Sequence, residues 1–163
     1  MNRQILLLGG NQGNVISSLK TSIELLSQQL GAPIIESSYY ESEAWGFEAS
    51  QNFINMVVEF RSNLEPIELL DFTQKIEKEL GRKEKTGTQY ESRPIDIDIL
   101  FINDEQINLP RLIVPHQHLH KRRFTLLPLM EHWADFIHPV YNQSIRTLNS
   151  HCNDNGMVRA LTI

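Results

Sequence analysis

Apolar residues recur along the chain in two spacings, which predict alternating strands and helices over residues 5–102. Short runs rich in Ile, Leu, Val and Phe predict strands over residues 5–8, 34–40, 53–60 and 95–102. Apolar residues at helical spacing predict helices over residues 14–30 and 66–80. Gly31 and Gly81 end the two helices, and Pro66 occupies a favourable first helical position. The stretches 41–51 and 82–92 lack periodicity and are predicted to be loops.

The order strand–helix–strand–strand–helix–strand is that of the ferredoxin-like fold, an antiparallel sheet with both helices on one face. A C-terminal extension follows, with short elements around Ile107 and Ile113 and helices near 125–133 and 145–151. The chain has neither internal repeats nor a linker-like stretch. We therefore predict one α+β domain over residues 1–163, built on a ferredoxin-like βαββαβ sheet with a C-terminal extension.

Composition places the chain among globular proteins and excludes several functional classes. Its 163 residues are 40% hydrophobic and 21% charged, and no apolar run approaches the roughly 20 residues that a membrane span requires. The net charge of −5 argues against nucleic-acid binding, and the single cysteine, Cys152, excludes an intrachain disulfide. The N-terminal residues do not resemble a signal peptide. We expect a cytoplasmic monomer that acts on small molecules.

Positive charge is concentrated in one part of this acidic chain. Residues 75–123 hold ten of the 15 Lys and Arg residues but only eight of the 20 acidic ones. Clustered charges focus the electric field, so the segment fits a small anionic ligand. A solvated basic face is the structural alternative.

The strongest chemical signal is the pair Asp96 and Asp98 within an apolar strand. Because side chains alternate along a strand, both carboxylates lie on one face, about 7 Å apart along the chain. Such a pair is costly to desolvate unless a cation neutralises it, and hard oxygen ligands favour Mg²⁺. The alternative is an acidic solvent face on an edge strand.

Three other features each have a structural and a functional interpretation. The stretch 9–13 is rich in glycine but fits neither the Walker phosphate-binding loop nor the GxGxxG motif. A structural turn is therefore favoured. His116, His118 and His120 alternate, so they are either zinc ligands or surface residues. Aromatic residues near the loops either belong to the core or enclose a planar ligand; they are Tyr39, Tyr40, Trp45, Phe53, Tyr90 and Phe124.

Motifs spread over nearly the whole chain combine into a specific pattern. They are Gly9-Gly10-Asn11-Gln12-Gly13-Asn14, Ser38-Tyr39-Tyr40-Glu41-Ser42, Gln51-Asn52-Phe53-Ile54-Asn55, Gln74-Lys75-Ile76-Glu77 with Gly81-Arg82, Arg93-Pro94-Ile95-Asp96-Ile97-Asp98, Val114-Pro115-His116, and Arg122 with Phe124-Thr125-Leu126-Leu127-Pro128-Leu129. In this order and spacing they resemble the 6-hydroxymethyl-7,8-dihydropterin pyrophosphokinase family. The resemblance implies a ferredoxin-like fold and transfer of pyrophosphate from ATP to a pterin alcohol in folate biosynthesis.

The resemblance also implies a metal and nucleotide site. Asp96 and Asp98 match residues that hold two Mg²⁺ ions bridging the ATP phosphates. Phosphate-contacting arginines and other nucleotide-site positions are matched by Arg82, Arg93, Arg122, Gln74 and His116. Of these residues, Arg82, Arg93, Asp96 and Asp98 are the implied catalytic set.

The pterin site is implied by a second group of matches. Asn55 matches the amide that pairs with the polar edge of the pterin, while Phe53 and Phe124 match the two rings that sandwich it. Backbone groups over residues 42–45 complete the edge, where this chain has Ser42, Glu43 and Trp45.

Two hypotheses of different classes follow. The first is an ATP-dependent diphosphotransferase, a pterin pyrophosphokinase. The second is a non-catalytic ferredoxin-like module that binds a nucleotide or metal and regulates a partner. Paired aspartates together with Phe53, Asn55 and Phe124 favour the enzyme, since a nucleotide sensor has no use for a pterin slot.

Overall fold

We obtained a computed structural model of the chain, which describes residues 1–43, 51–81 and 94–162. Within those residues the strands are β1 (Asn2–Gly10), β2 (Ile35–Glu36), β3 (Tyr40–Ser42), β4 (Phe53–Ser62), β5 (Asp96–Ile102), β6 (Ile107–Asn108), β7 (Ile113–Val114) and β8 (Val158–Ala160). The helices are α1 (Val15–Leu30), α2 (Pro66–Glu79), α3 (Arg123–His132) and α4 (Ile145–Ser150), with a 3₁₀ turn at Leu119–Lys121.

The central sheet is antiparallel in each of its described pairings. Its strands lie in the order β5-β1-β4-β3-β8, and β2 also pairs with β4. The short strands β6 and β7 form a separate antiparallel pair. The prediction of helices combined with an antiparallel sheet is therefore confirmed, and the long predicted strands β5, β1 and β4 lie side by side.

Strand alternation sorts the apolar side chains into a cluster on each face of the sheet. On one face, Leu6 and Leu8 of β1 belong to the cluster that contains the buried residues of α1 and α2. On the other face, Ile5 and Leu7 belong to the cluster formed with α3 and α4. The two predicted long helices thus share one face, and α3 and α4 of the C-terminal extension pack against the other.

Local sequence explains where the two long helices begin and end. The Asn14 side chain accepts the N–H of Ser17 at 3.1 Å and caps α1, while Pro66 opens α2. Gly31 and Gly81 follow the helices with φ of 82° and 98°, a conformation that favours glycine. None of the helices in residues 1–43, 51–81 and 94–162 is long and apolar enough to cross a membrane.

The strand predicted over residues 34–40 is wrong as one continuous element. It is divided into β2 and β3, which both pair with β4. At the break, Oγ of Ser37 accepts the N–H of Val57 at 2.9 Å and donates to the carbonyl of Ser38 at 2.8 Å. A hydroxyl has taken the place of a backbone acceptor and interrupts the regular ladder. β3 then continues to Ser42, past the predicted strand end.

His138 makes stability depend on pH. The ring is 2% exposed, packs 5.6 Å from Phe101 and 4.6 Å from Tyr141, and accepts the N–H of Val140 on Nδ1 at 3.1 Å. Burial, and then the neighbouring His120, lower its pKa to about 4. As the pH falls, the unfolded chain binds this proton at a higher pH than the folded chain does. The contribution of neutral His138 to the free energy of unfolding is therefore complete above about pH 6.5 and is lost as the pH falls towards 4.

We expect acidification from pH 7 to 4.5 to lower the free energy of unfolding through this group by about 2 kcal/mol. His138→Asn keeps a side-chain acceptor without a titrating ring, so its free energy of unfolding should depend less on pH. Urea denaturation of both proteins at the two pH values measures the difference. An equal pH dependence in both would assign the effect to other groups.

Candidate active site

Eight residues predicted at the metal and substrate sites line one cavity of about 230 Å³. They come from β3, β4 and β5, from the residue after β3, and from the N-cap and first turn of α3. The predicted residues on the cavity wall are Ser42, Glu43, Phe53, Asn55, Asp96, Asp98, Arg122 and Phe124, and Leu7 and Gly9 complete the lining. Residues distant in sequence therefore meet on one face of the sheet.

Strand register explains how the metal and substrate residues come together. Gly9 of β1 pairs with Asp96 of β5 on one side and with Asn55 of β4 on the other. The three residues form a row across the sheet, so Asp96 and Asn55 are separated by two strand spacings, or about 10 Å. A carboxylate and an amide are thus held on either side of a residue without a side chain.

Gly9 leaves the space that Asn55 occupies. A Cβ at Gly9 would collide with Oδ1 of Asn55, would lie 2.8 Å from its Cγ and would come within 3.2 Å of the Ile54 carbonyl. Glycine inside a strand commonly marks such a close approach. The interpretation of residues 9–13 as one turn is therefore wrong in part, because Gly9 and Gly10 belong to β1 and pair with β4.

Gly9→Ala is expected to turn the Asn55 side chain away from its position on the cavity wall. If Asn55 binds pterin, the affinity for pterin should fall about tenfold or more, since a lost hydrogen bond costs about 1–2 kcal/mol. Calorimetric titration with pterin measures this loss. In an Asn55→Ala background, Gly9→Ala should lower the pterin affinity little further. If it lowers the affinity as much there as in the wild type, the coupling between Gly9 and Asn55 is contradicted.

The aspartates alternate with apolar residues as predicted. Asp96 and Asp98 are half-buried and line the cavity, whereas Ile97 and Ile99 are 5% exposed and belong to the helix-covered core. The two cavity-facing carboxylates supply the hard oxygen donors that Mg²⁺ prefers. The residues present therefore fit a magnesium site, with further positions available to water and phosphate oxygens.

Aromatic and cationic groups form another part of the cavity wall. Phe53 begins β4 and Phe124 lies in the first turn of α3. The Arg122 guanidinium carbon lies 5.6 Å from the centroid of the Phe124 ring, within cation–π range. Arg122 therefore brings positive charge to a cavity that also holds Asp96 and Asp98.

His116 is a neutral imidazole placed near these groups. Its backbone N–H donates to the carbonyl of Leu100 in β5 at 3.1 Å, and its Nδ1 accepts the N–H of His118 at 3.2 Å. Burial, followed by Arg122 and His118, lowers its pKa to about 4, while Asp96 opposes the shift. With Nδ1 accepting, the ring proton lies on Nε2, so His116 is a hydrogen-bond donor at neutral pH.

The alternating histidines do not form a zinc site in the described structure. His116 and His118 have ring centroids 6.0 Å apart, and His120 instead packs 4.7 Å from Tyr141. Across residues 1–43, 51–81 and 94–162, no group of three or more His, Cys, Asp or Glu side chains is arranged to hold a metal ion.

The remaining predicted residues lie away from this cavity or outside the described residues. Gln74 is exposed on α2, where its Oε1 accepts from Arg111 at 3.3 Å. Arg82, Arg93 and Trp45 fall in the stretches outside the described residues.

Leu7 and Gly9 were not among the predicted site residues. Both lie on the cavity face of β1, and counting residues in steps of two from Ile5 reaches each of them. A glycine at that step of an otherwise apolar strand was the available signal, because it leaves room for a ligand or a neighbouring side chain.

The chain is similar to several known proteins. A model of the family described as 7,8-dihydro-6-hydroxymethylpterin-pyrophosphokinase (HPPK) matches residues 5–134. The Aquifex aeolicus protein named 2-amino-4-hydroxy-6-hydroxymethyldihydropteridine pyrophosphokinase is 45% identical over 139 residues, 85% of each chain. A Bacillus subtilis protein of the same name is 41% identical over 125 residues, 76% of this chain and 74% of its own.

A solved structure of wild-type Plasmodium falciparum HPPK-DHPS has a TM-score of 0.72 and 20% sequence identity, and covers 91% of this chain. This chain spans 44% of that longer one, and the likeness at such low identity shows the fold alone. The family model and the two closer relatives cover most of the sequence. The chain therefore belongs to the HPPK family of pterin pyrophosphokinases, the diphosphotransferases of folate biosynthesis.

Proposed function

We propose that this chain transfers pyrophosphate from ATP to the hydroxymethyl group of 6-hydroxymethyl-7,8-dihydropterin, using two Mg²⁺ ions and releasing AMP. The observation that carries the proposal is the shared cavity. It joins two carboxylates suited to Mg²⁺ with an amide and two aromatic rings suited to a flat heterocycle.

Cavity size supports a division of the site between the two substrates. At about 230 Å³ the cavity is smaller than the roughly 300–1,000 Å³ of drug-sized ligand pockets. It suits one compact ring system, so the ATP lies mainly outside it, on the side of Asp96 and Asp98. Asn55 pairs with the pterin edge, and Phe53 and Phe124 stack on its faces.

Charge and alignment supply the catalysis in this proposal. Asp96 and Asp98 hold the metal, which, when bound, neutralises phosphate charge and aligns the reacting groups. Arg122 adds positive charge, and neutral His116 donates a hydrogen bond to the nucleotide. Arg82, Arg93 and Gln74 are assigned to the nucleotide by the resemblance alone. The pterin hydroxymethyl oxygen attacks the β-phosphorus of ATP, and the bond from that phosphorus to the bridging oxygen of the α-phosphate breaks, so that AMP leaves. We assign no general base, and the hydroxyl proton passes to water.

The proposal extends to the molecule as a whole. The strand order β5-β1-β4, with β2 and β3 beyond β4, supports a ferredoxin-like sheet with a C-terminal extension. We further propose a single domain over residues 1–163 that acts as a cytoplasmic monomer on small molecules, without nucleic acid or a membrane. The net charge of −5 argues against nucleic-acid binding, and the small cavity suits small molecules.

AMP formation tests the proposed function. The protein is incubated with ATP, and AMP is measured with and without Mg²⁺ and with and without 6-hydroxymethyl-7,8-dihydropterin. We expect AMP only when both are present, in amounts equal to the pterin diphosphate formed. ATP binding without AMP formation in the complete mixture would favour the non-catalytic regulatory module.

A further inference from the structure

We propose that Glu77 is a positioning residue for the metal site, fixing the backbone of β5 between Asp96 and Asp98. Glu77 lies on the inward face of α2 and is 4% exposed. Its Oε2 accepts the backbone N–H of Ile97 at 2.8 Å. Ile97 is the residue between the two aspartates, so the helix holds the strand at the centre of the pair.

The position of β5 in the sheet explains why such a bond matters. In the described part of the chain, β5 is the last strand on its side, and β1 is its sheet partner. Because N–H groups of an antiparallel strand alternate in direction, the N–H of Ile97 points away from β1. Without an acceptor on that side, a buried backbone donor would be left unsatisfied, which would destabilise this segment of β5.

Two points on the outer edge of β5 are held by other parts of the chain. Glu77 takes the N–H of Ile97, and the N–H of His116 donates to the carbonyl of Leu100. Between them the ladder with β1 shifts register, since Leu6 pairs with Ile99 and Ile5 with Phe101. A bulge interrupts the ladder, bends its strand and increases the local twist. The anchor at Ile97 therefore helps to fix the orientation of the adjoining segment, which carries both aspartates.

The chemistry at Glu77 is that of a hydrogen-bond acceptor. A carboxylate accepting an N–H forms a stronger bond than a neutral acceptor does, but an amide oxygen can occupy the same place. This gives a sharp distinction. If Glu77 acts by holding Ile97, glutamine should largely replace it; if it acts through its charge, glutamine should fail as leucine does.

The test compares Glu77→Gln with Glu77→Leu, which has similar bulk but no acceptor, and with Glu79→Gln as a control at an exposed site on the same helix. Amide hydrogen exchange of Ile97 is measured by NMR in the protein free of metal and substrates. We expect tenfold or greater loss of protection at Ile97 in Glu77→Leu, with Glu77→Gln and Glu79→Gln close to the wild type.

The functional part of the test rests on the proposed function and uses the AMP assay. We expect Glu77→Leu to lower kcat and the affinity for Mg²⁺ with an ATP analogue at least tenfold, with the pterin KM within about twofold. Glu77→Gln should keep most of the wild-type kcat and most of the affinity for Mg²⁺ with the ATP analogue. Misplaced aspartates predict this split, whereas general loosening of the fold would also raise the pterin KM.

Other results would overturn the proposal. It fails if Glu77→Gln is impaired as strongly as Glu77→Leu, or if Glu77→Leu keeps full turnover. If Glu77→Leu does not fold, Glu77→Gln alone decides between the two roles. A tenfold loss of turnover in Glu77→Gln, with the Ile97 amide still protected from exchange, would show that Glu77 acts through its charge and not as an anchor. Absence of AMP formation by the wild type would refute the proposed function, while the exchange result would still report on the anchor.

Discussion

Asp96→Ala and Asp98→Ala are each expected to lower turnover at least a hundredfold while the protein stays folded. Each substitution removes a proposed metal ligand and so misplaces the phosphate under attack. Misalignment and lost electrostatic stabilisation cost factors of about 100–1,000 in other enzymes. Steady-state AMP formation at saturating Mg²⁺ measures the loss.

Stability should respond differently from turnover. Both carboxylates face one cavity, and like charges held close together stabilise a metal-free fold little. Without Mg²⁺, we expect the melting temperature of either variant to equal or exceed that of the wild type. Asp104→Ala, an exposed carboxylate in the turn after β5, should change neither quantity.

One outcome would contradict the metal assignment. A variant that unfolds readily, yet keeps full specific activity in its folded fraction, would make Asp96 and Asp98 structural residues. The two-metal proposal would then have to be abandoned.

Features set by neighbouring residues were predictable from the sequence. The alternation of Asp96 and Asp98 with Ile97 depends only on the two-residue repeat of a strand, and the structure confirms it. The start of α1 after Asn14 and its end at Gly31 likewise follow from local capping chemistry.

Features set by distant pairing were not predictable. Gly9 appears in the sequence as part of a turn, and only pairing with β4 brings it opposite Asn55. The bond between Glu77 of α2 and Ile97 of β5 joins residues 20 positions apart, so no local spacing encodes it. The strand β8 exists because Tyr40 of β3 pairs with Ala160, whereas its three residues alone carry no strand pattern.

Phe53→Ala is expected to weaken pterin binding selectively. Phe53 lies at the start of β4, opposite Ser42 of β3, and is half-buried on the cavity wall. Removing the ring deletes a stacking face and apolar contact area, worth about 2–3 kcal/mol or roughly 30- to 150-fold in Kd. Binding of ATP with Mg²⁺ should change less than about twofold, because the aspartates are untouched.

Calorimetric titration of each ligand separately measures both affinities. Phe72→Ala is the matched control, since Phe72 packs against the core on the opposite face of the sheet. That variant should lose stability without preferring one ligand over the other. If Phe53→Ala weakens ATP and pterin equally, Phe53 belongs to the core and not to the pterin site. A selective loss would instead place the pterin against β4 and leave the phosphates to β5, the division that the row Asp96–Gly9–Asn55 predicts.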